Sequence, residues 1–342
     1  MQGIRSIPFL KNTVCILLVY IVFSFFVNLS VEAGTTYGAS ESVTSVALEL
    51  AQFANPGAED TNLAFEKAIA EAQARAAAAK QEKREIKIVL NLENKKIYKI
   101  TKPIQVQFVD FLEINGNGAT ILNTSMKSTF WIKSSNHFTV RNLAVDYDPL
   151  PYTQGVVTGL DSTGQVVEIQ VDAGYPSSSE FAAKIHQGFF TVMDRLTKAE
   201  KVGARHLTPI RAEAMGNGYL KVNLQWSATA CGPGQIPVQL GDTVAIRSAL
   251  ATAVRVEDSA YTSFVDFGLY SSPGMGILEQ GGVGGMVLER VNMIPGEKPR
   301  NATAERLVST NSDGAHFIAV EKGPKVENCN FFGSMSMVGV KA

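Results

Sequence analysis

Residues 309–317 read Ser309-Thr310-Asn311-Ser312-Asp313-Gly314-Ala315-His316-Phe317 and bring a carboxylate, an imidazole and a carboxamide into one short stretch. A carboxylate offered to a groove can give or take a proton at a glycosidic oxygen, or hold a sugar hydroxyl. His316 could donate to such a hydroxyl, and Asn311 could bond one through its amide. Inverting hydrolysis demands more: a protonated acid beside the leaving oxygen and a carboxylate opposite to activate water, about 6.5 to 9.5 Å apart. Asp313 supplies one of the two. Each residue also has a structural reading. Asp-Gly is a common turn dipeptide, Asn311 can cap that turn, and a strand histidine can be packed or solvated.

The elements that would position these groups show as a repeat. Apolar residues recur at i, i+3 and i+5 in Val140/Leu143/Val145, Phe264/Phe267/Leu269, Leu288/Val291/Met293 and Val326/Cys329/Phe331. The second and third copies are 24 residues apart, a spacing that suits one coil of a parallel β-helix. β-Branched and aromatic residues with Asn and Gly turns favour strands over helices. One coil cannot bury its own inward face, so coils must stack about 4.8 Å apart. An antiparallel β-sandwich is the alternative. Gly276 and Gly314 match but lie 38 residues apart, so a loop around Pro295–Thr303 must bulge from one coil, forming a wall of the groove beside Asp313. Matching Asp313-Gly314 to Val338-Gly339 sets Val338 on Asp313 in the next coil.

Upstream, Asn62–Lys80 reads as a helix started by Asp60 or Thr61, with Leu63, Phe65, Ile69 and Ala72 on its apolar side. Between the first two repeats lies a different texture. Gly155–Asp161, Val166–Val171, Gly188–Asp194, Leu220–Leu224 and Asp242–Arg247 alternate apolar with polar, as half-buried antiparallel strands do. The expected organisation is a leader at 1–33, a capping helix and first coils at 34–148, an inserted small antiparallel β-barrel at 149–250, and coils carrying the candidate site at 251–342. The fold class is all-β. Trp131 and Trp226 could be sugar-stacking platforms, although a lone tryptophan inside an apolar strand is usually core. Asp146-Tyr147-Asp148 could bind a sugar or calcium, or be a solvated junction.

The formal net charge is −1 over 342 residues, so no nucleic-acid partner or anionic surface is indicated. Arg5 and Lys11 precede an apolar run, Val14–Val27, and small residues at Val31-Glu32-Ala33 resemble a signal-peptidase site. Export to a secreted or periplasmic location follows, with no stable membrane insertion after cleavage; an uncleaved anchor is the alternative. Cys231 and Cys329 lie far apart, and Cys329 falls at an inward position suited to a buried thiol. With four scattered histidines and no Cys/His cluster, no metal site and no cofactor are expected.

The helical opening, Asn115-Gly116-Asn117-Gly118-Ala119-Thr120-Ile121, the insertion with Pro151-Tyr152-Thr153-Gln154-Gly155 and Gly174-Tyr175-Pro176, and Asn311–Phe317 together resemble glycoside hydrolase family 110. The resemblance spans nearly all of the chain after the leader. It implies a right-handed parallel β-helix of the pectin-lyase-like kind and inverting removal of terminal α-1,3-linked galactose from an oligosaccharide or polysaccharide. It also implies that Asp313 is catalytic, with Asn311 and His316 as substrate-binding residues. The family's aspartate pair, one coil later, would fall at Met337 and Val338, and further coils would follow Ala342. A non-catalytic glycan-binding protein on the same scaffold is the alternative. A polysaccharide lyase acting on uronates is a third reading, disfavoured because no acidic cluster accompanies Asp313.

Overall fold

The computed structural model of the chain describes residues 44–341 apart from 56, 58, 186–187, 249–250 and 335–337. The expected leader and Met337 lie outside the described residues. Strands dominate and helices are few: one of twenty residues, Asn62–Gln81, and short turns of helix at Leu50–Phe53 and Ser179–Ala182. Asp60 starts the long helix, its Oδ1 accepting from Asn62 N at 2.9 Å, while Thr61 turns its hydroxyl to Lys99 O. The buried side of the helix is Ala64, Phe65, Ala68, Ile69 and Ala72. Leu63, expected on that side, is 45 % exposed, because the helical stripe runs through 64, 65, 68, 69 and 72 and leaves position 63 off it.

The strands form three sheets, two wholly parallel and one antiparallel. The first parallel sheet stacks Ile86–Asn91, Leu112–Asn123, Thr139–Tyr147, Ser263–Leu269, Val287–Glu289 and Lys325–Glu327. The second stacks Ile104–Gln107, Phe130–Lys133, Val254–Glu257, Ile277–Gln280, Ala315–Ile318 and Val338–Lys341. Along the chain these strands alternate between the two sheets, so each circuit adds one strand to both. The four copies of the apolar repeat stack in the register that their spacing predicts. Phe264, Phe267 and Leu269 pair with Val140, Leu143 and Val145; Leu288 and Met293 pair below with Phe264 and Leu269 and above with Val326 and Phe331.

The third position of each copy makes the corner. Asn142, Asp266, Arg290 and Asn328 all have φ between 50° and 53°, the left-handed region that Asn and Asp tolerate best. Arg290 is the exception in kind, and its guanidinium bonds Asp266 on the coil below at 2.6 and 2.9 Å. That contact, ahead of an opposing cost of burial, holds the Asp266 carboxyl below its usual range. Within the second sheet, alternate residues point inward, as Phe130, Ile132, Val254, Val256, Ile277, Ala315 and Phe317 do. Each large apolar side chain so buried contributes roughly 1.5–3 kcal/mol.

The antiparallel sheet lies between Tyr152 and Arg247 and has its own core of Val157, Val167, Ile169, Phe190, Val192, Leu220, Val222, Val244 and Ile246. A bridge from Phe190 to Leu207 links the segment before Pro209–Gly216, one end of the sheet, to Phe189–Asp194, the strand next to its other end. Strand Val254–Glu257 still pairs residue for residue with Phe130–Lys133, although the antiparallel segment intervenes in sequence. Among the described residues no helix is long and apolar enough to cross a membrane.

An inward position of the second sheet carries a charged side chain. Glu279 points inward between Val256 below and Phe317 above, is 1 % exposed, and has no hydrogen-bond partner for either oxygen among the described residues. Burial pushes its carboxyl up to about 7. The unfolded chain gives up this proton near the ordinary glutamate value, while the folded chain keeps it until pH 7. The contribution of Glu279 to stability is therefore greatest in acid and falls as pH rises between about 4.5 and 7, by on the order of 3 kcal/mol. Urea unfolding at pH 5 and pH 8 should show Glu279→Leu gaining stability over the parent mainly at pH 8; an advantage equal at both pH values would contradict it.

Candidate active site

Asp313 sits in the turn that leads into strand Ala315–Ile318, and the coil below holds that turn at successive points. Ser272 N donates to Ser309 O, Ser312 N to Gly274 O, Gly276 N to Asp313 O at 2.8 Å and Ile277 N to Gly314 O at 2.9 Å. Gly276 must be glycine for this approach, since a Cβ there would lie 2.3 Å from Gly314 O. The glycines matched in the sequence thus stack directly, 38 positions apart.

The side chains of Asp313 and His316 meet. His316 Nδ1 lies 2.6 Å from Asp313 Oδ2, and the two side chains are 20 % and 19 % exposed. His316 stands on the outward row of the second sheet, above Leu278 and below Gly339. This pair leaves Oδ1 of the carboxylate and Nε2 of the ring for other partners. A carboxylate fixed by an imidazole at the rim of a sheet can accept a proton or a hydroxyl, and the imidazole can relay one.

Asn311 is elsewhere. Its side chain is buried, and Nδ2 faces Pro151 O at 2.8 Å, Ser248 O at 2.9 Å, Ser248 Oγ at 3.1 Å and Pro273 O at 3.2 Å. Pro151 and Ser248 flank the antiparallel segment, and Ser248 Oγ also donates to Pro151 O at 2.7 Å. Asn311 is therefore a clamp on the stem of the insertion. The substrate-binding role expected for it is corrected, because both amide hydrogens are committed to backbone oxygens inside the protein.

The stacking of the next coil also differs from the sequence reading. Val338 pairs with Ala315, and Gly339 with His316. Val338 thus stands two positions along from Asp313 and does not stack on it. Matching glycine to glycine misled here, because Gly314 belongs to a turn whereas Gly339 lies within strand Val338–Lys341.

The long loop after Met293 is a seam rather than a groove wall. Ala302, Leu307 and Val308 belong to the core of the antiparallel segment. Gln154 donates to Glu305 O at 2.9 Å and accepts from Leu307 N at 3.0 Å, and Tyr175 donates to Ala304 O at 3.0 Å. Asp146 is used within the same seam: its Oδ1 accepts from Arg306 Nη1 and Tyr147 N, both at 2.9 Å, and from Ser271 Oγ. Tyr147 is buried and donates to Lys127 O. Asp146 and Tyr147 are accordingly structural, while Asp148 is exposed, and no grouping of three or more metal-ligating side chains occurs among the described residues.

Trp131 and Trp226 are not core residues. Trp131 lies on the outer face of the second sheet, where its indole nitrogen donates to Glu257 Oε2 at 3.1 Å and Arg255 sits 5.8 Å above the ring; Trp226 is 57 % exposed. Sequence reasoning passed over Glu279, Arg306 and Arg247. Aligning Ile277/Glu279 with Val254/Val256 would have exposed the inward Glu279, whereas nothing local marks either arginine as buried.

No protein-family model matches the chain. It is 24 % identical over 250 residues to Alpha-1,3-galactosidase B of Bacteroides thetaiotaomicron, a match covering 68 % of this chain and 38 % of that protein. It is 22 % identical over 251 residues to Alpha-1,3-galactosidase A of Shewanella woodyi, covering 68 % and 39 %. The chain matches under two fifths of the length of these relatives.

Replacing Asn311 by Ala should leave the Pro151, Ser248 and Pro273 carbonyls short of a donor in a buried site and cost about 1–3 kcal/mol. Urea denaturation reads this directly. An unchanged midpoint would show that Asn311 does not hold the stem.

Proposed function

We propose that this chain is a carbohydrate-active protein of the glycoside hydrolase family 110 kind, directed at glycans that end in α-galactose, with Asp313 as its catalytic carboxylate. The similarity to two α-1,3-galactosidases carries the reading. The pinned, partly exposed Asp313 beside His316 supports it. The architecture that goes with it is a right-handed parallel β-helix, capped by the Asn62–Gln81 helix and interrupted between about 149 and 250 by a small antiparallel barrel. The alternation of strands between two parallel sheets and the Phe190–Leu207 bridge support that architecture. Residues 1–33 direct export, so the protein works outside the cytoplasm.

In this scheme His316 Nδ1 fixes Asp313 Oδ2 and orients Oδ1 toward the sugar. Inversion requires a second carboxylate about 6.5 to 9.5 Å away. Two carboxylates among the described residues are otherwise engaged, Glu279 pointing into the interior and Asp146 giving its Oδ1 to Arg306, Ser271 and Tyr147 N. This observation favours a second reading, in which the same site binds α-galactosides without turning them over.

The test is release of galactose from an α-1,3-linked digalactoside, with calorimetric titration of the same sugar. Under the first reading the parent chain hydrolyses it, Asp313→Asn lowers kcat by about 10²–10⁴-fold, and His316→Gln lowers it less. Binding without release, weakened by Asp313→Asn, selects the second reading. Neither release nor binding would overturn both.

A further inference from the structure

Trp131, Arg255, Leu278 and His316 share one row of the second sheet. Arg255 pairs with Trp131 on the coil below and with Leu278 on the coil above, and Leu278 pairs with His316. The residues that precede them, Phe130, Val254, Ile277 and Ala315, are buried, so by the alternation of a strand the row faces outward. It runs from the Asp313–His316 pair to an indole three coils away, about 14 Å at about 4.8 Å per coil.

Trp131 is the residue out of place, because an indole on the outward side of a strand leaves apolar surface to solvent that a core position would cover. It is partly exposed, and the next coil holds it in one orientation. Nε1 donates to Glu257 Oε2 at 3.1 Å, and the Arg255 guanidinium lies 5.8 Å from the ring centre. Arg255 pairs with the other oxygen of Glu257, yet its side chain is 48 % exposed, and a guanidinium has five N–H donors to give. The Arg255–Glu257 pair cancels its own charge. What the cluster offers is therefore an oriented apolar ring beside spare N–H donors. That combination suits a neutral sugar, whose C–H face packs on an aromatic ring while its hydroxyls accept hydrogen bonds. Leu278 carries apolar surface on toward His316, and Gln105, on the coil below Trp131, adds an exposed amide.

A pyranose unit with its linkage is about as long as one coil step. A digalactoside placed at Asp313 therefore ends near Leu278, whereas a third or fourth unit reaches Arg255 and Trp131. We propose that Trp131 and Arg255 form a distal subsite for a neutral oligosaccharide whose terminal α-galactose lies at Asp313, so that the protein selects extended glycans over the disaccharide. This rests on the α-galactoside reading of the Asp313–His316 pair.

The test compares an α-1,3-linked digalactoside with a neutral tetrasaccharide ending in the same digalactosyl unit, as Kd by calorimetry on the full chain, or as KM where galactose is released. The tetrasaccharide should be held about tenfold more tightly. Trp131→Ala should bring it down to the level of the disaccharide, Trp131→Phe should keep most of the gain, and Arg255→Ala should lose part of it. If Trp131→Ala fails to fold, Arg255→Ala and the comparison of the two sugars in the parent decide. Equal affinities in the parent, a Trp131→Ala variant that weakens both sugars alike, or an Arg255→Ala or Trp131→Ala variant that keeps the full gain would overturn the distal subsite and leave the α-galactoside reading standing. Binding of neither sugar would overturn both.

Discussion

In-register stacking of parallel strands is the constraint on which the rest of this molecule depends. A single coil has no interior until another lies on it, so inward rows within the stack are paired on both sides, as Leu288 is between Phe264 and Val326. The same stacking fixes the turns. Asp313 is placed by Gly276 N and by the glycine-on-glycine approach of Gly276 to Gly314, two coils acting together on one carboxylate. Because register sets which side chains face out, a slip of one residue would bury Asp313's neighbour His316 and expose Phe317.

A second constraint follows from interrupting such a stack. The chain leaves after Tyr147 and returns at Val254, and the strands on either side still pair as if nothing intervened. That needs the departing and returning segments to be held together, which Asn311 does through Pro151 O and Ser248 O. The long loop completes the seam with Gln154 and the Arg306–Asp146 pair. Its interface combines apolar residues, Ala302, Leu307 and Val308, with polar contacts that close fully around Asn311 Nδ2. Polar contacts of this kind stabilise only where each group finds its partner, and Arg247 Nε and Nη1 have none among the described residues.

The repeat was legible in the sequence because its signal is local: three apolar positions and a turn residue recur at a spacing that tolerates little else. The antiparallel texture of residues 155–247 was legible for the same reason. Asn311 was misread because an Asn in a polar turn looks the same whether it meets solvent or, as here, the carbonyls of residues roughly 60 and 160 positions away. Val338 was misaligned because glycine identity was given more weight than strand register. The Asp313–His316 contact was half visible, as two residues three apart, but whether a turn brings them to 2.6 Å depends on the coil beneath.

The central claim is that the Asp313–His316 pair is the group that meets an α-galactoside. The imidazole resonances of the four histidines report on this directly in a nitrogen-labelled chain titrated with methyl α-galactoside. The account predicts that the His316 ring signals shift saturably and that the shift is lost in Asp313→Asn, while the His137 and His206 signals stay in place. Unmoved His316 signals at concentrations that saturate any binding seen by calorimetry would contradict it.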